Sequence, residues 1–228
     1  MDWQAIWLTG RLSLVTSTLL VLIGIPLAQW LATTRWRGRI FVEALVALPL
    51  VLPPTVLGFY VLVALGPKGP LGGWFQAIAG HPLPFSFAGL VVASVLYSLP
   101  FAVQPFTAAF RTVDRELVDA AATVGARPAR AFFRITIPLA WPGLVAGMVL
   151  SFAHTLGEFG VVLMVGGNIP GVTRTVSVSI YDSVQSLDYA SAAKTSLFLL
   201  IASFAILSLT YALQGSFRLA WPQRAEKR

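Results

Sequence analysis

Apolar residues run through this chain in five long blocks: Leu8–Leu31, Ala44–Leu65, Phe85–Phe110, Ile137–Val165 and Thr195–Phe217. Each reaches the ~20 mostly apolar residues that a bilayer's hydrocarbon core requires. Inside lipid every backbone N–H and C=O needs an internal partner, so the blocks predict helices. The expected fold is an all-α integral membrane protein with five transmembrane helices. Between the blocks the pattern changes. Gly66-Pro67-Lys68-Gly69-Pro70 and His81-Pro82-Leu83-Pro84 cannot continue a helix, whereas Leu71–Ala79 between them predicts a short interfacial helix anchored by Trp74 and Phe75. Val172, Val176, Ile180, Val184 and Leu187 recur at helical spacing and predict an amphipathic helix near the outer surface.

The polar stretch 111–136 is the most organised. Leu117, Ala120, Ala121 and Val124 fall at i, i+3, i+4 and i+7, on one face of a short helix over Asp114–Val124. Asp114 suits its N-cap, and Asp114 and Glu116 suit the positive end of its dipole. Gly125 stands where a left-handed residue would end it. Pro128 then opens a second helix, at a position where its missing N–H does no harm. Phe132 and Phe133 supply that helix's apolar load, and Pro138 and Pro142 mark the entry to the fourth span. Small alanines let a helix approach a partner closely, so this face is suited to docking.

Composition sharpens the membrane reading. Hydrophobic residues make up 57% of the 228 and charged residues 11%, against about 25% charged in a soluble domain. The net charge is +7. The cations cluster in loops beside apolar blocks, so membrane topology explains them and nucleic-acid binding is not expected. Arg35, Arg37 and Arg39 follow the first block, Arg111 to Arg134 the third, and Arg218, Arg224, Lys227 and Arg228 the fifth; the other side holds Arg11, Lys68, Arg174 and Lys194. The positive-inside rule then puts the N-terminus outside and the 111–136 loop and C-terminus in the cytoplasm. The first block lacks a preceding basic region and is long for a signal peptide. Trp30, Trp36, Trp141 and Trp221 flank spans as interfacial belt residues. The second block carries three prolines in six residues, Pro49, Pro53 and Pro54. They force a broken helix, which either lines a cavity or satisfies packing.

Candidate chemistry is sparse. There is no cysteine, and His81 and His154 are too far apart in sequence to suggest a zinc site. No nucleophile–base–orienter set suggests an enzyme. No G-x-x-x-x-G-K-[ST] phosphate loop is present, so ATP must bind elsewhere if it drives this protein.

Asp119-Ala120-Ala121, Gly125 and Ile135-x-Ile137-Pro138 resemble the "EAA" loop of ABC-importer permeases, with Asp for the usual Glu and Ile137 for the usual Leu. Pro49 to Tyr60 is similar to the second span of the molybdate ABC transporter permease family, and Leu156-Gly157-Glu158-Phe159-Gly160 is similar to a Gly-Glu-Phe-Gly signature shared by molybdate and sulfate permeases. The resemblance implies a single transmembrane permease domain over 1–228 with the type I ABC-importer fold, multi-pass in a bacterial inner membrane. It implies a homodimer, a cytoplasmic ABC ATPase dimer carrying ATP and Mg, and a periplasmic molybdate-binding protein; the chain itself would bind no cofactor and meet only lipid besides. Sulfate, thiosulfate or tungstate are alternative cargoes, and an ATP-independent channel or secondary transporter is the alternative class. Leu117, Asp119, Ala120, Ala121, Gly125, Ala126, Ile135 and Pro138 are the expected ATPase-coupling residues. Pro53, Pro54, Thr55, Gly58 and Glu158 are the expected pathway or gate residues. Cations are scarce within the spans, which leaves hydroxyls such as Thr55, Ser94 and Ser98 to meet a dianion weakly. An ionised Glu158 would repel that dianion, so Glu158 is expected to be hydrogen-bonded, protonated or paired, with His154 four residues earlier as its partner, and to support the core or gate.

Overall fold

The computed structural model describes residues 1–69 and 71–220. Pro70, Trp221 and the basic tail residues Arg224, Lys227 and Arg228 lie outside them. Among the described residues every regular element is helical. α1 (Trp3–Thr33), α5 (Phe87–Arg111) and α8 (Ile137–Leu156) form the central packing unit, and α11 (Tyr189–Ala220) lies against α8. Four helical runs among the described residues are long and apolar enough to cross a membrane. α2 (Arg39–Val51) and α3 (Pro54–Leu65) make a fifth, bent by 115°. The five apolar blocks are therefore five spans, one of them broken where Pro53 and Pro54 remove backbone donors.

The fourth block departs from the expected continuous span over Ile137–Val165. α8 stops at Leu156, and α9 (Gly160–Gly166) resumes after a break at Gly157–Phe159. Phe159 has φ −130° and ψ −61°, outside the helical region. What holds α9 aside is its packing on α3, where Gly160 and Gly58 allow close approach. A Cβ on Gly160 would lie 2.7 Å from Pro54 Cβ, and one on Gly58 would lie 2.7 Å from Met164 Cβ.

Below the break, Phe106 of α5 is fully buried between glycines of two neighbouring helices, with Gly24 on α1 and Gly147 on α8. A Cβ at Gly147 would come within 2.6 Å of its ring. In lipid such fit supplies dispersion rather than hydrophobic driving force. Leu20, Leu31, Val103, Phe110 and Leu144 complete this core, and Val61, Leu65, Ala93, Val161 and Val165 form a second one above the break.

The connections follow local chemistry. Asp2, Ser86 and Thr175 cap α1, α5 and α10 (Val176–Gln185) by accepting N–H bonds from Ala5, Gly89 and Val178. α4 (Gly72–Ala79) ends at Gly80 with φ +74°, matching the predicted interfacial helix, and Trp74 is exposed. α10 is shorter than its apolar period suggests. Val172 sits exposed in the preceding turn, and Leu187 lies beyond the helix at φ +62°. The buried residues of α10 are Val176, Val178 and Ser179. Val176 N–H bonds to Thr9 Oγ1 at 2.8 Å, tying α10 to the first turns of α1.

Candidate functional sites

The 111–136 stretch folds as its pattern predicts. α6 (Arg115–Thr123) is capped by Asp114, whose side chain accepts from Glu116 N–H at 2.9 Å. Its other end closes with two bonds, Ala126 N–H to Ala121 C=O and Gly125 N–H to Ala122 C=O, each 3.0 Å. That is the Schellman arrangement, which needs a left-handed residue at Gly125. Gly125 has φ +82°, and a Cβ there would meet nothing within 4 Å, so backbone conformation alone requires glycine.

α6 buries none of its residues. Leu117 is 48% exposed and Val124 83%; Ala120 is also exposed and Ala121 half-buried. An apolar stripe with two small residues at its centre is thus presented outward. Asp119 lies off this stripe. With Val118 it turns toward a cleft of about 700 Å³ beside the ends of α1 and α5. α7 (Pro128–Ala131) starts at Pro128 and runs through a π-helical turn, Phe132–Thr136, into α8. Ile135 is half-buried in that turn, and Pro138 is exposed in the first turn of α8. The π-turn had no signature in the residue pattern. Such turns are rare and often sit at functional joints.

The two helix breaks meet at a cavity of about 570 Å³ whose lining includes Pro54, Thr55, Tyr97, His154, Glu158 and Phe159. Of the expected pathway residues, Pro54, Thr55 and Glu158 come together here. Pro53 is the extended N-cap of α3, and its carbonyl accepts from Val56 and Leu57 N–H at 2.9 and 3.2 Å. The backbone freed at the break is therefore already partly engaged. Gly58 is not in the lining; it is buried against α9.

The expected His154–Glu158 pair does not form. The i, i+4 relation needs an unbroken helix, and Gly157 ends α8 between them. His154 Nδ1 instead lies 2.9 Å from Ser98 Oγ, which also meets Thr155 Oγ1 at 2.9 Å. Its ring stacks on Phe101 with centroids 3.8 Å apart and leans on Tyr97. These α5 aromatics were not singled out from sequence, because their approach to His154 is a property of the α5–α8 crossing. Ser98 is consequently committed within the protein. Glu158 is 4% exposed, and neither carboxyl oxygen has a hydrogen-bond partner. Ser94, equally buried, faces it without closing a hydrogen bond. Among the described residues no group of three or more His, Cys, Asp or Glu side chains could hold a metal.

Residues 21–219 match the family described as binding-protein-dependent transport system inner membrane component. The chain belongs to that family. This permease is 51% identical to the molybdenum transport system permease protein ModB of Azotobacter vinelandii over 211 residues, 92% of this chain and 93% of the relative. It is 38% identical to ModB of Escherichia coli K12 over 185 residues, 81% of each chain. Its fold matches a bacterial ABC transporter that imports alginate, with TM-score 0.71 and 20% identity over 93% of this permease and 78% of that chain. It also matches the MetNI methionine ABC transporter in inward-facing form, with TM-score 0.72 and 17% identity over 95% of both chains. The fold is that of type I ABC-importer permeases, an inner-membrane architecture.

Proposed function

We propose that this chain is the permease subunit of an ATP-driven molybdate importer. The observation that carries the reading is α6, a well-capped helix that buries none of its own residues and presents Leu117, Ala120 and Val124 outward. A separate ATPase, carrying ATP and Mg, would receive that stripe. The identity to two ModB permeases across most of both chains supports molybdate as cargo. The positive-inside distribution supports a cytoplasmic α6 and an outside N-terminus. Two copies of residues 1–228, each one permease domain with the 111–136 loop as its coupling device, would enclose the pathway. A periplasmic binding protein would deliver the anion.

In this scheme ATPase closure moves α6, and the π-turn and α8 carry the motion to the breaks at Pro53–Pro54 and Gly157–Phe159. The cavity there offers Thr55 and few cations, so it would hold a dianion weakly. Weak holding favours release, and discrimination falls to the binding protein. The test is ATP hydrolysis by the reconstituted complex with the binding protein empty, molybdate-loaded or sulfate-loaded. Stimulation by molybdate alone is expected. Stimulation by sulfate alone would change the cargo, and none by either, with the complex intact, would remove the coupling role.

A further inference from the structure

The cleft beside α6 has a chemistry that docking of the exposed stripe does not use. Its lining includes Gln29, Thr33 and Arg35 at the end of α1, Arg111 at the end of α5, and Arg115 and Asp119 on α6. Three arginines and one acidic residue thus share the lining. Arg111 is held by Glu43 at 2.6 Å. Arg35 and Arg115 make no ion pair among the described residues, so two cations on different elements remain open to an anion. Gln29, another lining residue, leaves its buried Oε1 without a donor. The cleft, at about 700 Å³, is far larger than a single tetrahedral ion needs, one water in the liquid occupying about 30 Å³. Trp30 and Trp36 follow the lining residues Gln29 and Arg35 in the chain; their rings lie 6.1 Å apart and are 39% and 58% exposed. Tryptophans so placed mark the headgroup level of a bilayer, and basic pockets between helices at that level accept phosphate headgroups.

We propose that this cleft binds a phosphate group, that of an anionic lipid such as phosphatidylglycerol, between Arg35 and Arg115. The phosphate then clips α6 to the end of α1. Because α6 buries no residue of its own, this clip orders the coupling helix and makes the transporter's drive responsive to lipid charge. A free inorganic phosphate carries the same anionic oxygens, so both sources are tested.

The full chain, purified in nonionic detergent, is titrated with short-chain phosphatidylglycerol, with phosphatidylcholine of equal chain length, and with inorganic phosphate, following its thermal unfolding midpoint. Phosphatidylglycerol is expected to raise the midpoint and phosphatidylcholine to leave it unchanged. Arg35→Gln with Arg115→Gln should weaken the phosphatidylglycerol response roughly tenfold or more, the loss of charge-assisted hydrogen bonds. Arg11→Gln, at the other end of α1, should respond as wild type. If the double variant does not fold, the two single variants carry the comparison. Protection by inorganic phosphate through the same arginines upholds the site with a free anion as its source. Absence of response to either phosphate, or an undiminished response in the arginine variants, overturns the proposal.

Discussion

At the scale of single residues, Glu158 poses the sharpest physical problem. A carboxyl group buried without hydrogen bonds costs several kcal/mol if charged and still a good deal if neutral. Glu158 leaves both oxygens without a partner at 4% exposure. What relieves it is position: it lines a cavity of about 570 Å³ beside Thr55 and faces Ser94. A site of that size and polarity admits water to complete its bonds. If Glu158 supports the break rather than gripping the anion, its charge is dispensable while its shape is not. Glu158→Gln should then leave assembly intact and shift the molybdate dependence of coupled ATP hydrolysis by less than about threefold, within the ~0.6 kcal/mol expected of an isosteric change. A tenfold or greater loss of oxyanion response in a well-folded Glu158→Gln complex would make the carboxyl a ligand. Its place in a span was legible in Gly157-Glu158-Phe159-Gly160, but its lack of a hydrogen-bond partner was not. The expected pairing with His154 assumed helical periodicity across Gly157, and the break removed the premise.

At the scale of elements, the pattern served well where one helix answers to its own residues. α6 was legible to its caps because Asp114 and Gly125 act locally, through a side-chain bond and a backbone conformation. α10 was misjudged at both ends because Val172 and Leu187 fit the period while the backbone around them had already turned. The π-turn at Phe132–Thr136 was invisible, since it arises where α7 must join α8 without a loop. α6 also yields the cleanest separation of folding from coupling. It buries none of its own residues, so a large side chain on its outer stripe has no internal clash. Ala120→Trp should leave the permease's own thermal midpoint unchanged. It should lower ATPase retention on co-purification roughly tenfold or more, as overpacking a docked helix costs about 1–3 kcal/mol. Full retention would place the docking surface elsewhere, and a fall in the permease's own midpoint would show that Ala120 is structural.

At the scale of the whole molecule, the five spans are unequally packed. An 18-residue apolar window of α5 is 44% buried within the chain and one of α11, within Tyr189–Ser208, only 11%, so much of the apolar surface is left uncovered by the chain itself. Thr55 is exposed although it lines the cavity at the breaks, which leaves that cavity open on the side of α3. A pathway for a dianion cannot open sideways into hydrocarbon, because charge at membrane depth is costly. In the proposed homodimer a second copy, related by a two-fold axis along α3, would close it, and such closed symmetry is the common rule for homo-oligomers. The absence of cysteine makes the test clean, since any thiol is an introduced one. Thr55→Cys should therefore cross-link to itself with a short bifunctional thiol reagent in the assembled complex, giving a covalent dimer on denaturing gels. The proposed cycle puts the breaks where the two halves would rock, so the yield should also change when a non-hydrolysable ATP analogue is bound. An introduced thiol at exposed Phe41 on α2, far from the cavity, provides the comparison. Cross-linking at Phe41→Cys with none at Thr55→Cys would put the two-fold axis on the other face of the bundle and remove the cavity from the pathway.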